Sequence, residues 1–191
     1  DKMITAEGTN LHPYIKEMSA AVLRGRDLVT VGECWSATPE TAKLWSNPDG
    51  SELSMVFQFE HIVLDQEGWQ KWDLKPLPMK ELKRVVAKWQ TELAGQGWNS
   101  LFWENHDLPR IVSRWGNDGE YREKSAMMLA TILFGLQGTP YIYQGQELGM
   151  TNVKFALEDY QDIEIRNMVK EKLEEGVDLE TIMAGVYAKG R

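Results

Sequence analysis

Apolar side chains recur along this chain with two different periods. Leu11, Ile15, Met18 and Val22 fall at helical spacing, and Gly25 is placed to end that helix. Residues 28–32 read as a short buried strand that stops at Glu33. Thr38-Pro39-Glu40-Thr41 opens a short helix, with Thr38 as N-cap and Pro39 at the first helical position. Residues 53–59 predict a second strand, followed by Glu60 and His61. Residues 79–94 predict a longer amphipathic helix with Leu82, Val85, Val86 and Trp89 on one face. A third apolar run, 100–103, ends abruptly in Glu104, Asn105, His106 and Asp107, and Pro109, which has no amide hydrogen, bars its continuation. Residues 121–136, rich in Ala, Met and Leu, read as a buried helix. A turn at Gly138-Thr139-Pro140 leads into a fourth strand, 141–143, and residues 159–175 and 179–188 read as charged helices.

Strands separated by helices imply an α/β fold with a parallel sheet. Polar groups gathered at the carboxyl ends of such strands are where α/β folds keep their chemistry. Every predicted strand here has a carboxylate within a few residues of its end: Glu33, Glu60, Asp107 and Glu147.

The 191 residues suffice for one domain with a real core. A formal net charge of −8 argues against a nucleic-acid or anionic-membrane partner. No apolar run approaches the roughly 20 residues that span a bilayer, and residues 1–7 carry no signal pattern. Cys34 is the single cysteine, so no internal disulfide can form, which fits a reducing, cytoplasmic setting. The three histidines show no metal-ligand spacing, so no metal is expected.

Paired strand-end carboxylates suit glycoside hydrolysis, where one carboxylic acid protonates the leaving oxygen and a carboxylate stabilises or attacks the cationic sugar carbon. Gly32 permits close approach just before Glu33, and partial burial beside Trp35 would suit Glu33 to act as an acid. A lone acidic residue after a strand is most simply a cap, a turn residue or a solvated charge, and Glu60 and Glu147 are read that way. His12 and His61 are read as structural histidines, Cys34 as a packed thiol, and the charged run 171–175 as a solvated helix face.

Taken together, several segments resemble the α-amylase superfamily of glycoside hydrolases, in its oligo-1,6-glucosidase and dextran glucosidase branch. They are Val31-Gly32-Glu33, Met55-Val56-Phe57-Gln58-Phe59-Glu60-His61, Trp98-Asn99-Ser100-Leu101-Phe102-Trp103, Asn105-His106-Asp107 and Gly138-Thr139-Pro140-Tyr141-Ile142-Tyr143-Gln144-Gly145. The resemblance implies a (β/α)8 barrel and a retaining double displacement on α-glucosidic bonds. It implies that Glu33 is the general acid/base, that Asp107 stabilises the oxocarbenium-like transition state, and that His106 bonds the same sugar. Trp35 would stack at the leaving-group side, with Lys71 and Glu164 as polar contacts there. The expected partner is an α-glucan oligosaccharide. Trehalose-6-phosphate hydrolase, sucrose isomerase and a non-catalytic glycosidase-like binding domain are the alternatives. Cys34, Glu104 and Gln146 depart from the Met, Asn and Glu usual in this branch.

The family nucleophile lies in an Arg-x-Asp motif upstream of the acid, and no such motif precedes Glu33. Residues 1–191 are therefore expected to be a partial catalytic domain, strands five to eight of the barrel with extra helices after the last strand. No cofactor is expected in this chain, since the family's calcium-binding loop would lie in the preceding half. Such a half-barrel would be inactive alone and would self-associate through open sheet edges.

Overall fold

The computed structural model describes residues 8–67 and 71–190. The stretch 1–7 and Arg191 lie outside the described residues. The chain divides into two compact units: Asp1–Leu64 with Pro78–Leu101 and Phe134–Tyr141, and Asp65–Leu77 with Phe102–Leu133 and Ile142–Arg191.

The first unit holds the parallel strands β1 (Val31–Glu33), β2 (Met55–Phe57), β3 (Ser100–Leu101) and β4 (Thr139–Pro140). Val31 pairs with Met55 and Glu33 with Phe57, a parallel bridge joins Val56 to Asn99, and Ser100 pairs with Thr139. The strands therefore lie side by side in chain order. Three helices belong to this unit: α1 (Leu11–Met18), α2 (Pro39–Trp45) and α3 (Met79–Leu93). The N-cap expected at Thr38 is present and forms half of a capping box: Thr41 N donates to Thr38 Oγ1, Thr38 N donates to Thr41 Oγ1, and Pro39 opens the helix. Helix α3 buries Leu82, Val85, Trp89 and Leu93, and the last three share a core with Ala42, Trp45 and Val56.

Several expected elements are shorter or more exposed than their patterns imply. Strand β1 begins at Val31, and Leu28 and Val29 are exposed. Just before Val31, Thr30 N donates to the Ser54 hydroxyl rather than to a backbone carbonyl, Ser54 N bonds to Thr30 Oγ1, and the Thr30 carbonyl accepts from Ser54 N and Met55 N. The fourth strand is Thr139–Pro140 rather than residues 141–143. Pro140 offers no donor, and the pairing ends with one further bond from Tyr141 N to the Leu101 carbonyl. Helix α1 gives way to a π-helical turn at Ser19–Leu23, and Met18 and Val22 are exposed. Gly25 follows at φ 78°, a conformation open to glycine.

The second unit contains α4 (Ile111–Trp115), most of α5 (Arg122–Gly135), α6 (Ile163–Glu174) and α7 (Leu179–Lys189). Asp162 and Asp178 cap α6 and α7 through the amides of Glu164 and Thr181. The two helices share a core of Ile165, Met168, Val169, Ile182, Met183 and Val186. The burial expected of α5 is not found, since only Leu129 and Leu133 are buried while Met127, Met128 and Ile132 are exposed. Its apolar residues surround the helix, so one packed side leaves others uncovered. No described helix is long and apolar enough to cross a membrane.

Candidate active site

In the first unit, Glu33 ends β1 opposite Phe57, and Cys34 N extends the ladder by donating to the Phe57 carbonyl. Gly32 earns its place: a Cβ there would stand 2.9 Å from Leu53 Cδ1. Glu33 is exposed, so the partial burial expected of it is absent from this unit. Trp35 does stand beside it in sequence and is 57% exposed. Its indole lies on the buried ring of Phe59, centroids 3.8 Å apart and planes inclined by 12°. One indole face is therefore held and the other is available for a flat apolar ligand. Cys34 is buried, its Sγ 3.4 Å from Ser36 Oγ, as expected of a packed thiol.

Glu60 and Glu52 of this unit have structural partners. Glu60 accepts from Lys88 Nζ and from Trp89 Nε1 at 2.8 Å, which fastens α3 to the end of β2. His61 is buried with Nδ1 3.1 Å from Gln58 Nε2, and His12 Nδ1 lies 2.8 Å from the buried Glu52. Burial pushes the Tyr141 phenol above its ordinary pKa, and its hydroxyl rests 3.3 Å from Met55 Sδ.

In the second unit, His106 and Asp107 lie in the loop after β3, His106 Nε2 3.2 Å from Asp107 Oδ2. The loop is folded on Asn105, whose Oδ1 accepts from Asp107 N at 2.8 Å. His106 is exposed and Asp107 partly so. A cavity of about 240 Å³ opens beside them, lined by Asn105, His106, Arg110, Tyr143, Phe155 and Tyr160 among others. Lys71 and Glu164, distant in sequence, meet as an ion pair, and Lys71 Nζ also lies 4.5 Å from the Trp72 ring centroid.

Two features of this unit escaped the sequence pattern. Glu104 is buried and bonded to Arg110 and to the Ile111 amide. Asp65 forms a buried cluster with Arg114, Trp115 and Lys189. The spacing of Glu104 and Arg110 about a proline loop was a usable signal, but nothing local links Asp65 to Lys189. Among the described residues no group of three or more His, Cys, Asp or Glu is placed to hold a metal ion.

Parallel strands in chain order with helices between them define an α/β protein. The profile of the alpha amylase catalytic domain matches residues 1–190, and the chain belongs to that family. It is 57% identical to a glucan 1,6-alpha-glucosidase of Streptococcus pneumoniae, over 100% of this chain and 36% of the relative. It is 56% identical to an oligo-1,6-glucosidase of Halalkalibacterium halodurans, over 96% of this chain and 33% of the relative. Among solved structures, the trehalose-6-phosphate hydrolase of Bacillus licheniformis superposes with a TM-score of 0.90 at 47% identity, over 95% of this chain and 33% of that one. The chain thus spans about a third of the length of the relatives it matches.

Proposed function

We propose that these residues belong to an α-glucosidase that hydrolyses α-1,6-glucosidic bonds at the ends of isomalto-oligosaccharides or dextran. The observation that carries this reading is the pairing of Glu33 on an exposed strand end with the stacked, half-open indole of Trp35. On this reading, Glu33 protonates the departing glycosidic oxygen while a carboxylate attacks the anomeric carbon. Glu33 then takes a proton from the water that releases the glycosyl–enzyme. Asp107 and His106 hold sugar hydroxyls, and Asp107 opposes the positive charge that develops on the ring. Trp35, Lys71 and Glu164 receive the leaving-group sugar.

No Arg-x-Asp motif precedes Glu33, so we read the attacking carboxylate as coming from outside residues 1–191. The four strands would then be strands five to eight of a (β/α)8 barrel, whose unpaired edges favour self-association. Trehalose-6-phosphate hydrolysis is the second reading, favoured by the structural likeness to such an enzyme. It requires cations for the phosphate. Lys71 is instead engaged by Glu164, which suits a neutral sugar better.

The test is a pH–rate profile of the polypeptide that carries these residues together with the attacking carboxylate. Glu33→Gln should lower kcat on isomaltose by about 10²–10⁴-fold. Unchanged turnover would overturn the assignment, and faster turnover of trehalose 6-phosphate than of isomaltose would select the second reading. Residues 1–191 alone should show no turnover and should sediment as more than a monomer. Isomaltose hydrolysis or a stable monomer would each refute its part.

A further inference from the structure

We propose that Glu104 and Arg110 are paired positioning residues, a strap that closes the loop presenting His106 and Asp107. The proposal rests on the reading of those two residues as sugar contacts. Glu104 is only 2% exposed, and a carboxylate so buried must have its oxygens engaged. Both are. Oε1 accepts from Arg110 Nη1 at 2.8 Å and Oε2 accepts from Ile111 N at 2.5 Å. Both donors stand just beyond the loop, so residues 105–109 are enclosed between the two ends of one charge-assisted clasp.

Arg110 extends the clasp to the segment after β4. Its Nη1 also donates to the Gln144 carbonyl at 2.8 Å, and its backbone N donates to Asn152 Oδ1 at 2.7 Å. Its guanidinium carbon lies 4.8 Å from the Tyr143 ring centroid. Asn152 in turn donates to the Tyr187 carbonyl in α7 at 3.0 Å. Inside the clasp, Asp107 N is bonded to Asn105 Oδ1 and Leu108 N to the Asn105 carbonyl. Exposed His106 and partly exposed Asp107 thus stand at the crest of a loop whose base is buried and charged. Fixing the base removes loop conformations in which the crest would miss a bound sugar, so the ordering cost is met in folding rather than in binding.

Hydrogen exchange of the 191-residue chain tests the strap. Glu104→Ala should speed exchange of the Asp107 and Leu108 amides about tenfold or more, with Ile165 and Val169 in α6 unchanged. Glu104→Gln keeps one acceptor and should fall between. As a second readout, the His106 imidazole signals followed by NMR during isomaltose titration should report binding at least about fivefold weaker in Glu104→Ala. Equal protection of Asp107 in all three proteins would overturn the strap. So would equal acceleration in α6, which would mean a merely structural role. If isomaltose leaves His106 unmoved even in the unsubstituted chain, the sugar reading fails and the exchange data alone judge the strap.

Discussion

The indole of Trp35 and the ring of Phe59 stack at 3.8 Å although one is 57% exposed and the other 3%. An exposed indole resting on a buried ring is oriented without being hidden. Phe59→Leu keeps an apolar floor but removes the flat partner, and the loss should cost about 1–2 kcal/mol of stability. In fluorotryptophan NMR, the Trp35 signal, identified with Trp35→Phe, should move toward the position of a solvated indole. An unmoved signal would mean that something other than Phe59 orients Trp35.

The Asp65 carboxylate is held by both forks of Arg114, at 2.6 and 2.8 Å, by Trp115 Nε1 at 2.9 Å and by Lys189 Nζ at 2.8 Å. Burial alone would raise its pKa, but Arg114, Lys189 and Trp115 outweigh burial and bring it from 3.8 down to about 2. For Lys189 burial wins over Asp65, and its pKa is lowered. A carboxylate whose folded pKa is depressed stabilises the fold above its unfolded pKa and loses that contribution as pH falls through the folded value. Urea unfolding followed by circular dichroism should therefore lose about 2 kcal/mol from this group between pH 4 and pH 2. Asp65→Asn should abolish that part of the slope while costing about 3–5 kcal/mol at neutral pH, because Arg114 and Lys189 stay buried without their counter-charge.

That cluster marks the boundary of what local sequence conveys. Helix N-caps, helical faces and acidic strand ends are set by residues a few positions apart, so Thr38, Val85 and Glu33 were legible. Strand length was not, because a ladder runs only where a neighbour's backbone accepts it: the Thr30 amide is taken by the Ser54 hydroxyl before β1, and Pro140 has no donor at the end of β4. The side of α5 left uncovered could not be read from a helix apolar all round. Ion pairs joining distant segments, Asp65 to Lys189 and Lys71 to Glu164, have no periodic trace at all. The positions of Glu33 at the end of β1 and of His106 and Asp107 in the loop after β3 were legible. Glu104, which the sequence marked only as a departure from Asn, is part of the loop's foundation.

Gly138 is a sharp test of how closely β3 and β4 approach. Its φ is 152°, and a Cβ would stand 2.6 Å from the Asn99 carbonyl oxygen and 2.9 Å from Leu101 Cγ. That oxygen already accepts from Thr139 N, so it cannot retreat without breaking the pairing. Gly138→Ala should cost about 2 kcal/mol or more, whereas Gly25→Ala, with φ 78° and nothing within 4 Å, should cost about 1 kcal/mol from backbone strain alone. Denaturant midpoints of the two variants measured side by side decide it, and equal losses would show that the close approach matters no more than the dihedral.

The Lys71–Glu164 ion pair allows a sugar contact to be separated from a structural one. Its side chains are 28% and 52% exposed, so solvent screens the attraction and the pair should add at most about 1 kcal/mol to stability. Lys71→Met keeps the stem over Trp72 and removes the charge, and Glu164→Gln keeps the shape and removes the opposite charge. Both variants should melt within a few degrees of the parent. If the two groups receive the leaving-group sugar, each variant should weaken isomaltose binding severalfold while leaving binding of glucose alone unchanged, because glucose does not extend to that side. Equal losses for both sugars, or a large fall in melting temperature, would assign the pair to the scaffold instead.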